Sequence, residues 1–151
     1  MNTHYKAIHE QYIIWLNTLG FAKGTVRRYG SGARDFFIWL ENRNINHITQ
    51  ITTTRVETYY NYLQIRKNKK CGGTLSNVYL NENFISVDKL LEFLHQTGAD
   101  DVPSPLNFHI AIDENERMRK IQPFTIEEIK ILQSKIEDLY PNSNYEHRTK
   151  K

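Results

Sequence analysis

An all-α fold is predicted for this chain by three observations. Apolar residues recur at steps of three and four through most of residues 4–97, glycines and capping-type residues punctuate those runs, and no strand pattern competes except the short stretch Phe108 to Ile112. The expected architecture is a four-helix bundle followed by an extended linker and one further helix. At 151 residues the chain is long enough to bury a core without metal or disulfide support.

The first helix is predicted from about His4 to Leu19, burying Tyr5, Ile8, Tyr12, Trp15, Leu16 and Leu19, with Gly20 as its stop. The second lies within GFAKGTVRRYGSGARDFFIWL, residues 20–40. Its apolar stripe Val26, Tyr29, Ala33, Phe36, Phe37, Leu40 backs onto a polar stripe of Arg27, Ser31 and Arg34. Gly30 and Gly32 stand out, because each interior glycine costs a helix about 1 kcal/mol relative to alanine. Three explanations fit them: close approach of a neighbouring helix, close approach of a phosphate backbone, or a kink at Gly30.

A third helix opens at Thr52 to Thr54, where Thr54 and Glu57 have capping-box spacing, and buries Val56, Tyr59, Tyr60 and Leu63. It runs into RKNKKCGG, residues 66–73, whose four cations and two glycines read as an exposed loop, either simply solvated or touching phosphates. The fourth helix is expected from about Ser76 to Thr97, with Leu80, Phe84, Val87, Leu91 and Leu94 inward and Gly98 closing it. Tyr79, Asn83, Ser86 and Lys89 form its other face, as a wet surface or as hydrogen-bonding groups for phosphates and base edges.

Residues 99–122 lose this period and gain Asp100, Asp101, Pro103 and Pro105, which predicts an interdomain linker after a helical domain of residues 1–98. A last helix, within 123–140, starts at PFTIEE, with Thr125 and Glu128 at capping-box spacing and Ile126, Ile129, Leu132, Ile136 and Leu139 on one face. Residues 141–151 read as a flexible tail.

The hydrophobic fraction of 39% and charged fraction of 25% are those of a soluble protein, and no run approaches the roughly 20 apolar residues of a membrane span. The start MNTHYKAIHE lacks the zones of a signal peptide, and a single cysteine, Cys71, allows no internal disulfide, so a reducing, cytoplasmic setting is expected. Charge is asymmetric: residues 1–98 hold 12 Lys and Arg against 7 Asp and Glu, whereas residues 99–151 hold 8 against 10. The helical body is therefore the part suited to an anionic partner.

No phosphate-binding loop, dinucleotide fingerprint, zinc-protease motif or nucleophile elbow occurs, and the six histidines lack metal spacing. No cofactor or metal is expected. Tyr12, Tyr29, Tyr59, Tyr60 and Tyr62 sit at helical spacings that suit core or rim packing, with ring buried and hydroxyl wet.

The ordered segments resemble the amino-terminal, SAM-like core-binding domain of tyrosine recombinases, the phage-integrase superfamily. WLNTLGFAKGT (Trp15 to Thr25) is similar to the family's Leu-Gly turn. Thr25 and Tyr29 with FFIWL (Phe36 to Leu40) are similar to its T-x-x-x-Y helix ending in F-x-x-W-L. QITTTRVETYYNYLQ (Gln50 to Gln64) and NENFISVDKLLEFLHQTG (Asn81 to Gly98) resemble its third and fourth helices, and PFTIEEIKIL (Pro123 to Leu132) resembles the opening of its catalytic domain. Tyr79 departs from the pattern, standing where the family often has threonine.

The resemblance implies a double-stranded DNA clamp belonging to a site-specific recombinase or integrase of a mobile element. It places Thr25, Arg27, Arg28, Ser31 and Arg34 on one DNA-facing helix and Asn83, Ser86 and Lys89 on another, with Lys67, Lys69 and Lys70 adding backbone attraction. The family's catalytic arginines, His-x-x-Arg motif and nucleophilic tyrosine have no counterpart in these residues, so strand exchange would belong to a longer enzyme and this piece would be monomeric. The alternatives are a helical protein-interaction module and a catalytically dead relative that occupies recombination sites.

Overall fold

The structure is a computed structural model that describes residues 1–68, 72–112 and 125–139. The chain divides into two compact units, Met1–Ile112 and Asp113–Lys151. Among the described residues all regular structure is helical, apart from an isolated antiparallel bridge between Lys67 and Thr74.

Helix α1 (Thr3–Thr18) starts at Asn2, whose side-chain oxygen accepts a hydrogen bond from the Tyr5 amide at 2.8 Å. It stops where Gly20 takes φ +77°, the left-handed conformation that only glycine adopts without strain. Tyr5, Tyr12 and Leu16 are buried, and Ile8 and Trp15 pack partly against them. Leu19, expected inside, is 52% exposed because the helix has ended one residue earlier.

Helix α2 (Lys23–Glu41) is unbroken through both glycines. A side-chain carbon at residue 30 would collide with Ile13 of α1, and one at residue 32 would meet Ser86 Cβ at 2.5 Å. Close approach of α4 thus accounts for Gly32, whereas at residue 30 the atom met is the end of the flexible Ile13 side chain, and the helix continues through both positions. Antiparallel packing on α1 is set by Tyr5 stacked on Phe37, centroids 4.5 Å apart, and by the chain start held at Glu41. His9 also meets the Gly30 carbonyl at 2.8 Å.

A short 3-10 turn, Ile48–Gln50, is capped by His47 and leads into α3 (Thr53–Ile65). Thr52, rather than the expected Thr54, is the N-cap, accepting from the Arg55 amide; three consecutive threonines leave the register undecided until Ile51 is buried beneath them. Val56, Tyr59, Tyr60 and Leu63 are buried as expected. Tyr59 packs with Phe36 and Trp39, and Arg43 lies 3.9 Å above the Trp39 ring.

Helix α4 (Asn77–Gln96) runs from N-cap Ser76 to Gly98, which has φ +88°. It is central to the unit, burying not only Leu80, Phe84, Val87, Leu91 and Leu94 but also Leu90, Phe93, Asn81, Asn83, Ser86 and Asp88. Tyr12 donates to the Ser86 carbonyl, and Trp15 Nε1 donates to Gln96 Oε1 at 3.0 Å.

The first part of the predicted linker belongs to this helical unit, whose limit is Ile112 rather than residue 98. Val102 is buried, and residues 104–112 form a strap along α4. Both Asp88 carboxylate oxygens are used: Oδ1 accepts from the Leu106 amide at 2.9 Å and Oδ2 from the Asn107 amide at 3.0 Å. Tyr60 also donates to Oδ1 at 3.0 Å. Asn81 pairs with both main-chain groups of Ile110, at 2.8 and 2.9 Å, and Phe108 packs edge-on against Phe84. Burial raises the Asp88 pKa above the usual carboxylate value, while these three donors pull it back down.

In the second unit, α5 (Ile126–Leu139) begins with the predicted capping box: the Glu128 amide donates to Thr125 Oγ1, and Glu128 Oε2 accepts from the Thr125 amide at 2.8 Å. Ile126, Ile129, Leu132 and Ile136 are exposed. The remaining linker residues, 113–122, and the predicted tail, 141–151, lie outside the described residues. No described helix is long and apolar enough to cross a membrane.

Candidate nucleic-acid interface

The contacts that bury Gly30 and Gly32 also fix which way the rest of α2 faces. With those two glycines against α1 and α4, Arg27, Ser31 and Arg34 are directed outward and all three are exposed. Lys23, one turn before Arg27, is exposed on the same side and extends the stripe. It was missed because it precedes the apolar period; spacing of four from Arg27 was the available signal. Thr25 is half-buried in the first turn. Among the described residues neither Arg27 nor Arg34 has an ion-pair partner.

Arg28 occupies the edge of α2 nearest α4 and bonds through Nη1 to Glu82 Oε1 at 2.9 Å. Between the helices lies a recess of about 130 Å³, with exposed Arg28, Ser31 and Tyr79 and half-buried Asp35 and Glu82 around its rim and buried Gly32, Asn83 and Ser86 beneath. This is too small for an ordinary ligand site.

Of the predicted α4 face, Tyr79 is exposed but Asn83 and Ser86 are buried. Asn83 is 6% exposed and Ser86 2%, both turned toward Gly32 of α2. Their side chains are satisfied within α4 itself, Asn83 Nδ2 donating to the Tyr79 carbonyl at 2.7 Å and Ser86 Oγ to the Glu82 carbonyl at 2.6 Å. They are buried spacers between α2 and α4 at the floor of the recess. Lys89 is half-buried, paired with Glu92 at 2.6 Å beside the strap rather than beside Arg28.

Lys67 is exposed where the loop narrows at its bridge to Thr74; the Asn68 amide donates to the Gly73 carbonyl at 2.8 Å, and Gly72 and Gly73 both have φ +68°. Lys69 and Lys70 lie outside the described residues. The structure thus brings Thr25, Arg27, Arg28, Ser31 and Arg34 together on one helix, while Lys67 and Lys89 lie on other elements.

Burial drives the hydroxyl pKa of Tyr12, Tyr59 and Tyr60 well above its ordinary value, as suits packing groups. Among the described residues no three His, Cys, Asp or Glu side chains are disposed to hold a metal ion. Comparison with family models, curated proteins and solved structures finds no match to this chain.

Proposed function

We propose that the unit Met1–Ile112 binds double-stranded DNA, as the amino-terminal clamp of a tyrosine-type site-specific recombinase or integrase. The observation that carries the binding reading is the exposed α2 stripe of Lys23, Arg27, Ser31 and Arg34, which has no ion pair among the described residues and stands on a helix packed closely on α4 at Gly32. A row of cations on one exposed helix face meets several phosphates together, which favours affinity and a steep dependence on salt. The recombinase assignment rests on the order of the segments it resembles, from the Leu-Gly turn to the capped helix at Thr125.

Asn83 and Ser86 have no place in this interface, and α4 contributes through Glu82 and Tyr79 at the recess rim. The clamp works without metal or nucleotide and as a monomer. Duplex binding measured by fluorescence anisotropy across a salt series tests the reading: a linear fall of log K with log salt is expected. Weak retention that ignores salt would instead favour the protein-interaction module.

A further inference from the structure

We propose that Arg28 and Glu82 act together as the reader of one guanine–cytosine base pair. This rests on the DNA-binding reading above and adds a base preference to it. The two side chains come from different helices, yet they meet at 2.9 Å because α2 and α4 are in close contact one turn further on, where Gly32 lies against Ser86. Both stay substantially exposed, at 59% and 40%, on the rim of the recess beside the cationic stripe.

Arg28 Nη1 and Glu82 Oε1 are spent on each other at 2.9 Å, so the remaining guanidinium donors stand beside the remaining carboxylate acceptor. In the major groove a G·C pair offers the complementary arrangement: guanine O6, an acceptor, beside the cytosine N4 amino group, a donor, about 2.9 Å apart because they bond to each other. Glu82 engages only Nη1 of Arg28, leaving Nε and Nη2 for guanine O6 and N7. The second Glu82 oxygen then accepts from cytosine N4.

An A·T pair fits this arrangement badly. Thymine sets its methyl group and O4 acceptor against the carboxylate, and adenine replaces an acceptor with an amino donor facing the guanidinium. Glu82 also restrains the arginine before binding, so less side-chain freedom is lost on contact. On a purely electrostatic surface the same carboxylate would only weaken DNA binding, by repelling phosphate.

The test is selection from a randomised duplex pool with the full chain, followed by affinities of the recovered and A·T-substituted duplexes for the wild type, Glu82→Gln and Arg28→Ala. The wild type is expected to recover G·C at one position and to discriminate against A·T there by about tenfold or more. Glu82→Gln and Arg28→Ala should each lose that discrimination. Unchanged melting temperatures exclude misfolding, since both groups are exposed. Retention of the wild-type preference by both variants, or duplex binding by the wild type with no base preference, overturns the reader and leaves the clamp standing. Absence of salt-sensitive binding to any duplex overturns the clamp itself.

Discussion

Gly32 of α2 lies against Ser86 of α4 so closely that a methyl group at residue 32 would come within 2.5 Å of the Ser86 β-carbon. A β-carbon is fixed to its backbone and cannot rotate away, so the helices would have to separate. Gly32→Ala is therefore expected to destabilise the unit by about 1–2 kcal/mol, a steric loss of about 1–3 kcal/mol outweighing the better helix propensity of alanine. Gly24→Ala, with nothing within 4 Å, should instead stabilise by about 0.5–1 kcal/mol. Adding Ser86→Gly to Gly32→Ala should restore part of the loss. Urea denaturation of the three variants decides the matter, and equal effects at residues 24 and 32 would refute the packing argument.

That contact also explains what the sequence left hidden. Periodicity found the helices and most of their buried residues because apolar side chains mark a core face. It placed Asn83 and Ser86 outward because it assigns one buried face per helix, whereas α4 is enclosed on several sides and meets α2 through a face made of glycine. The strap was missed for a related reason: its attachment is polar, made by side chains of α4 to main-chain groups of Leu106, Asn107 and Ile110. The available signal was Asn81 and Asp88, two polar residues seven apart within an apolar helix. On α2, by contrast, the exposed arginines were legible because one amphipathic period fixed both its faces.

Asp88→Asn should loosen the strap. An amide has one acceptor oxygen, so either the Leu106 or the Asn107 N–H would face an NH2 group, at a cost of about 1–3 kcal/mol for the unsatisfied donor. Hydrogen exchange at those two amides should accelerate while exchange in the middle of α2 stays slow. The pH dependence has a definite sign. The folded-state pKa of Asp88 is raised by burial above its ordinary 3.8, so its linkage contribution is fully present below that value and lost as pH rises through the raised one. The stability advantage of the wild type over the variant should accordingly shrink on going upward from about pH 4; a difference that grows instead would contradict the burial effect.

Asn81→Ala removes both bonds to Ile110, an acceptor and a donor at once, and should detach residues 108–112 without unfolding the helices. A loss of about 1–2 kcal/mol is expected, with fast exchange at the Ile110 amide. Asn81→Asp keeps the acceptor for that amide and should protect it better than alanine does. If the two variants exchange alike, the side-chain contact is not what holds the strap.

His4 stacks on His47 with ring centroids 4.2 Å apart, and burial, then the neighbouring imidazole, lowers its pKa below the ordinary 6.5. Because the folded state takes up this proton less readily than the unfolded chain, the contribution is present above pH 6.5 and is lost as pH falls through the lowered value. Its slope is opposite to that of Asp88. His4→Gln should flatten the acid limb of stability just below pH 6.5, measured as melting temperature against pH, and should leave the region near pH 4 to the carboxylates.

The cationic stripe makes the sharpest separation between position and function. Arg27→Ala and Arg34→Ala each remove an exposed charge that has no ion-pair partner among the described residues, so neither should alter stability by more than about 0.5 kcal/mol. If each arginine contacts one phosphate, each substitution reduces the slope of log K against log salt by about 0.9, and the double variant by about twice that. Asn83→Ala provides the opposite case. Its side chain is 6% exposed and bonded to the Tyr79 carbonyl, so it should lower stability yet leave the salt slope untouched. A wild-type slope in the double arginine variant, or a reduced one in Asn83→Ala, would move the interface away from the outer face of α2.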